Sequence, residues 1–219
     1  MLSYRKLAMR VLGRPLHTRG IDSPRPASQR AAAFILTAAM LTTLAAPAFA
    51  DIWRIEDGDI TVKAGETEGT NKVSQGTNKD VVDTNTIITN SNKNTASSHT
   101  VTIEAKDKDD KVEVTLKDVN IDTSSRNKAA VSVTGEGDTN IKLDGDNALK
   151  SDIYRSGIYG SGSGSLTISG GENDSLTAQG GSGANGISSS GSLTISGGTV
   201  TANGDDGGRG ISSSGSLTI

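Results

Sequence analysis

The chain has 219 residues, a formal net charge of −3, no cysteine and an aromatic content of only 3%. The lack of cysteine excludes disulfides and thiolate-bound metals. The scarcity of large rings argues against the thick core of an ordinary globular domain, which usually buries several of them.

Residues 1–50 are typical of a secretory signal peptide. An apolar run spans residues 31–46, directly after Arg30, and is followed by Ala48-Phe49-Ala50, which forms an A-x-A cleavage site. The run has 16 residues, whereas a membrane-spanning helix needs ~20; an uncleaved signal anchor is the alternative. We therefore predict cleavage after Ala50, no membrane span after cleavage, and a secreted or cell-surface protein.

Removal of this segment makes the remaining chain strongly acidic. Seven of the 22 basic residues and one of the 25 acidic residues lie in residues 1–50, so residues 51–219 carry a net charge of −9. Nucleic acids and anionic membrane surfaces are bound by basic faces. The composition therefore predicts neither of them as a partner.

Residues 51–99 are predicted to form a polar leader with short strands. Alternating apolar residues occur at 52–62 and 81–88, and Asp57-Gly58 indicates a turn. We expect this leader to start the first strands and to cap the N-terminal end of the region that follows. Disorder is the alternative for residues 65–79, because their polar composition offers little surface to bury.

Residues 100–219 contain a repeat of about 25 residues. The letters GSLTISGG occur at 164–171 and 191–198, and GSLTI recurs at 215–219. Apolar pairs two residues apart face the same side of a strand, and each repeat offers three such short strands. The first strands align at 114–116, 141–143, 166–168, 193–195 and 217–219. This pattern predicts an all-β, parallel β-helix (a β-solenoid) of about four to five coils.

A single coil of this kind cannot fold alone, because it buries too few apolar side chains to offset the entropy of ordering its residues. Stability must come from stacking. The last segment, 217–219, supplies only the first strand of a coil and leaves an apolar sheet edge open, which natural proteins avoid. We therefore expect the sequence to be truncated at its C-terminus.

Three acidic or glycine-rich motifs have simple structural explanations. The glycines of residues 181–186 fit G-x-G-x-x-G, but they lead into the repeat and not into a helix, so a corner turn is favoured. Residues 107–110 resemble the start of a calcium loop, but Val112 and Asp118 replace its required glycine and glutamate. Calcium bound by stacked loop carboxylates at 144–147 and 205–206 is an alternative to solvated turns; no other cofactor and no metal ligands are predicted.

The candidates for chemistry are few. His99 is the only histidine of residues 51–219, and no catalytic constellation has a meaningful spacing. A lyase would need bases such as Lys150, Arg155 or Arg209, which scattered solubilising charge also explains.

One loop region provides a candidate ligand site. Tyr154 and Tyr159 could stack on sugar rings, with Asp152 and Arg155 as polar partners. Tyr159 covering a coil corner beside Ile158 is the alternative.

Several segments of the chain resemble the secreted Gly-rich repeat proteins of Gram-positive bacteria, which are often labelled carbohydrate-binding-domain proteins. These segments are VEVTLKDVNIDTS, AAVSVTGEGDTNIKLDGDN, GSLTISGG and, at 51–62, DIWRIEDGDITV. The resemblance implies a right-handed parallel β-helix and an extracellular role. It assigns no binding residue to this chain.

We therefore expect a non-enzymatic protein for adhesion or glycan binding, whose partner is an extracellular glycan or a host or cell-surface component. A polysaccharide lyase and a purely structural stalk are the alternatives.

Overall fold

The computed structural model describes residues 51–219; the predicted signal peptide lies outside the described residues. These residues form an all-β solenoid of about five turns, which confirms the predicted fold class. The only helix is a three-residue 3-10 turn, Ile55–Asp57, within the described part of the chain. Three sheets, here called A, B and C, form the sides of the solenoid.

Sheet A collects one parallel strand from each coil. In stacking order its strands are β1 (Ile52–Arg54), β5 (Ile87–Thr89), β7 (Lys111–Lys117), β10 (Asp138–Asp144), β13 (Leu166–Ser169), β16 (Leu193–Ile195) and β19 (Leu217–Thr218).

Sheet C is shorter because the first two coils supply no strand to it. Its parallel strands are β8 (Asn120–Asp122), β11 (Asp146–Lys150), β14 (Ser175–Ser182) and β17 (Thr199–Asp205). In the second coil a single bridge, Ser97 with Ile121, takes the place of a strand.

Sheet B has six parallel strands, β2 (Ile60–Ala64), β6 (Val101–Ala105), β9 (Val131–Gly135), β12 (Ile158–Gly160), β15 (Ile187–Ser189) and β18 (Ile211–Ser213). Two further strands, β3 (Asn71–Gln75) and β4 (Asn78–Asp83), extend it in antiparallel fashion beyond β2. They are an insertion between the first and second coils, which we call the hairpin.

Parallel stacking begins upstream of residue 100, the start of the repeat region predicted from sequence. β1 pairs with β5 and β2 pairs with β6, so residues 51–99 contribute coils of their own. Disorder was the alternative for residues 65–79, but this range contains β3 and the turn that leads into it. The hairpin is anchored by Asp83, whose carboxylate accepts a hydrogen bond of 2.9 Å from the Trp53 indole.

The core is a thin column of inward-facing aliphatic side chains from all three sheets, as the composition predicts. Val114, Ile141 and Ile168 stack in sheet A, and each is fully buried. Trp53 is the only aromatic side chain buried among the described residues.

The predicted alignment of the first strands is wrong at one step. Leu166 lies beside Thr139, and Ile168 lies beside Ile141, so β13 is displaced by two residues from the predicted pairing of Leu166 with Ile141. A shift of two residues keeps the same side chains facing inward. Apolar alternation alone therefore could not distinguish the two registers.

Candidate functional site

A groove lies on the outer face of sheet A where the hairpin adjoins it. β5 pairs only with the last three residues of β7, from Thr115 onward. Residues 111–114 of β7 therefore have no strand of the preceding coil beside them. The space left there is a groove of about 410 Å³.

The hairpin side chain Asn71 supplies one of the hydrogen bonds that a strand of the preceding coil would make to β7. The Thr115 amide donates a hydrogen bond to the carbonyl of Thr86 in the preceding coil. Because backbone groups two residues apart in a strand point to the same side, the carbonyl of Glu113 also points toward the preceding coil. Asn71 is buried, and its Nδ2 donates to the Glu113 carbonyl at 2.7 Å and to Thr86 Oγ1 at 2.9 Å. This contact satisfies a carbonyl that would otherwise be unpaired and holds the hairpin against sheet A.

The hairpin and its flanks form an end wall of the groove. Wall residues come from the turn before β3 and from the segment that leads into β5: Glu68, Gly69, Asn71, Thr84, Asn85 and Thr86.

The floor consists of outward-facing polar side chains in two columns that cross the strands. One column is Glu113, Asn140 and Thr167, and it continues in register to Thr194 and Thr218. The other column is Lys111, Asp138 and Ser165, followed by Ser192 and Ser216. Floor side chains are charged near the wall and carry only hydroxyl groups from Ser165 and Thr167 onward.

Hydrogen bonds between neighbouring coils order these columns. Asn140 Nδ2 donates to Glu113 Oε2 at 3.1 Å, and the Ser165 hydroxyl donates to Asp138 Oδ1. Lys111 Nζ lies 3.4 Å from Glu68 Oε1 of the wall. Three carboxylates and one ammonium group line the groove, so its charge is net negative.

The four residues predicted as a ligand site lie elsewhere: three of them are at the corner where the chain turns from sheet C to sheet B, and Tyr159 is in β12. Tyr154 is 77% exposed, and its backbone has a φ of +59°. Its ring lies beside Gly183, which has a φ of +76° at the corresponding corner of the next coil. A bulky residue in this left-handed conformation is strained, whereas glycine is not.

Asp152 and Arg155 brace this corner. Asp152 accepts amide hydrogen bonds from Asn127 at 2.6 Å and from Ile153 at 2.7 Å, and Arg155 Nε donates to Asn127 Oδ1 at 3.1 Å. Tyr159 is not part of the corner: it faces outward from β12, between Ser132 and Ser188, and is 43% exposed. None of these four residues lines the groove.

His99 belongs to a charged cluster that joins three coils. Asp59 accepts from Arg126 at 2.8 and 3.1 Å, lies 3.2 Å from Lys128 Nζ, and is 3.1 Å from His99 Nδ1. Partial burial by itself would raise the pKa of the Asp59 carboxyl. The hydrogen bonds from Arg126, the Thr100 amide, Lys128 and His99 outweigh burial and hold the pKa well below its usual range.

The acidic turns serve the backbone and neighbouring side chains. Asp110 accepts from the Asp107 amide at 3.0 Å, Asp146 accepts from the Ser175 hydroxyl at 3.0 Å, and Asp206 accepts from Ser182 at 2.7 Å. Within residues 51–219, no group of three or more histidine, aspartate or glutamate side chains is arranged to hold a metal ion. The G-x-G-x-x-G glycines lie at the end of β14 and in the corner before β15.

The chain matches no protein-family model, no curated protein and no solved structure. In residues 51–219 there is no helix with the length and hydropathy needed to cross a membrane.

Sequence reasoning missed the groove. The signal that could have found part of it is the outward Ser-x-Thr pattern at 165–167 and 192–194, which repeats at the coil period. No comparable signal placed Asn71 next to Glu113.

Proposed function

We propose that this protein is a secreted or cell-surface β-solenoid that binds an extracellular glycan without chemically altering it. The observation that carries the proposal is the groove on sheet A, whose floor presents polar side chains with carboxylate, amide or hydroxyl groups at the regular spacing of the coils. Sugars are recognised by such groups because each sugar residue presents several hydroxyls that both donate and accept hydrogen bonds. A regular floor complements a ligand that is itself a repeating polymer.

The positions of the basic side chains favour binding over cleavage. Lys150 projects from sheet C and pairs with Asp122 at 3.2 Å, and Arg155 is bonded to Asn127 at the corner between sheets C and B. Neither of them lines the groove, and neither does Arg209. Lys111, which does line it, is paired with Glu68. A lyase would instead need an unpaired base directed at the bound sugar.

A glycan array probed with the protein and two variants tests the proposal. Thr167→Trp places a large ring on the groove floor, and Thr102→Trp makes the same change at an outward position of sheet B, away from the groove. We expect the protein and Thr102→Trp to bind the same glycans and Thr167→Trp to lose that binding.

Two results would overturn the proposal. Absence of binding to every glycan favours the structural stalk. Release of unsaturated products from a polysaccharide, followed by their ultraviolet absorbance, identifies an enzyme.

A further inference from the structure

The groove is closed at one end and open at the other. The wall residues Glu68 and Asn85 stand at its N-terminal end, where the preceding coil contributes no strand beside residues 111–114. In the opposite direction the floor columns continue through Thr194 and Ser192, where the hairpin no longer flanks them. A polymer lying along the columns can therefore extend away from the hairpin, but it cannot continue through it.

The spacing of the floor fits sugars better than peptides. Neighbouring coils repeat at ~4.8 Å, whereas an extended peptide repeats at ~3.3 Å per residue and would lose register with the columns after one step. A pyranose residue in an extended glycan is about as long as one coil step. From β13 onward each coil offers one outward pair of Ser and Thr, such as Ser165 with Thr167, to one sugar residue, and the two coils nearest the wall offer charged and amide side chains instead.

The charge of the groove selects among glycans. Among the residues that line the groove, Glu68, Glu113 and Asp138 are accompanied by one basic side chain, Lys111, which is paired with Glu68. The described chain as a whole is also acidic. Polymers that carry carboxylate or sulfate groups are repelled from such a surface.

We propose that the groove holds the terminal residue of a linear polysaccharide without acidic groups, and that the chain runs from the hairpin along the outer face of sheet A. The terminal sugar lies against the wall at Asn85 and contacts the charged part of the floor. The following sugars lie over the hydroxyl columns. This inference rests on the proposed glycan-binding function and adds the end specificity and the charge class of the ligand.

Titration calorimetry with length series of soluble oligosaccharides tests the inference. The probes are cello-oligosaccharides (neutral), chitosan oligosaccharides (amino-bearing) and oligogalacturonates (acidic). We expect binding to one or both of the non-acidic series, with one protein bound per oligosaccharide at every length. The affinity should rise with length until the floor is covered. Side-on binding would instead give a number of proteins per chain that increases with chain length.

A pair of variants tests the wall directly. Asn85→Trp fills the terminal position, and Asn203→Trp makes the same change at an exposed position of sheet C. We expect Asn85→Trp to weaken binding by about tenfold or more, and Asn203→Trp to leave it unchanged. Circular dichroism and thermal unfolding establish that both variants are folded.

The outcomes separate this inference from the proposed function. End recognition is overturned if the number of proteins per oligosaccharide grows with chain length or if Asn85→Trp binds fully. The charge class is overturned if the protein prefers oligogalacturonates. In those cases the proposed glycan-binding function still stands, provided that the unmodified protein binds and Thr167→Trp does not. If the array and the three series show no binding at all, the proposed function and this inference fail together.

Discussion

Thr139 provides a sensitive test of the side-chain packing inside sheet A. It lies in the inward column of sheet A between Val112 and Leu166, is 2% exposed, and its hydroxyl has no hydrogen-bond partner. Burying an unpaired hydroxyl costs about 1–3 kcal/mol. Thr139→Val has nearly the same shape and removes that cost, so we expect the free energy of unfolding to increase by about 1–2 kcal/mol.

Thr123 is the matched control. It is fully buried, but its hydroxyl donates to the Lys128 carbonyl at 2.7 Å and lies 3.3 Å from the Lys150 carbonyl. Thr123→Val removes this hydrogen bond without changing the size of the side chain. We expect the free energy of unfolding to decrease by about 1–3 kcal/mol.

Thermal unfolding followed by circular dichroism measures both changes. For a chain of this length, each kcal/mol shifts Tm by about 2–4 °C, so the two variants should move in opposite directions from the unmodified protein. A lower Tm for Thr139→Val would refute the reasoning. That result would mean that the Thr139 hydroxyl is hydrogen-bonded in the folded protein.

The remaining predictions concern the charged cluster and the strained corner. Asp59→Asn should destabilise the protein at neutral pH by about 1–2 kcal/mol, a value reduced because the carboxylate is partly exposed. Folding lowers the pKa of Asp59 below its usual value of 3.8, so its stabilisation of the fold is complete above pH ~4 and is lost as the pH falls further toward the folded pKa. Urea unfolding at several pH values should therefore show that the stability difference between the protein and Asp59→Asn shrinks only in that acidic range. A stability difference that shrinks between pH 5 and 7 would contradict this prediction. Tyr154→Asn should raise Tm, because asparagine adopts a positive φ more readily than tyrosine. The corresponding corner residue of the preceding coil, Asn127, already has a positive φ. A lower Tm would indicate that the Tyr154 ring stabilises the corner by its contact with Gly183.

From residue 100 onward, the sequence by itself determined that coils stack and that each complete coil has three strands. The strands at 166–168, 193–195 and 217–219 were predicted to align, and Leu166, Leu193 and Leu217 occupy the same position in successive strands of sheet A. The reason is that alternation within a strand is a local property, and a repeat of similar length turns each local pattern into a stack. No knowledge of distant contacts is needed for either inference.

Tertiary structure decided the register of β13 and the existence of the groove. A displacement of two residues leaves the inward pattern intact, so Leu166 fits beside Ile141 as well as beside Thr139 by sequence alone. The groove depends on a hydrogen bond between Asn71 and Glu113, which are 42 residues apart, and on a hairpin that interrupts the repeat. Such contacts leave no periodic trace in the sequence, because each is made once and its partners are brought together only when the coils stack.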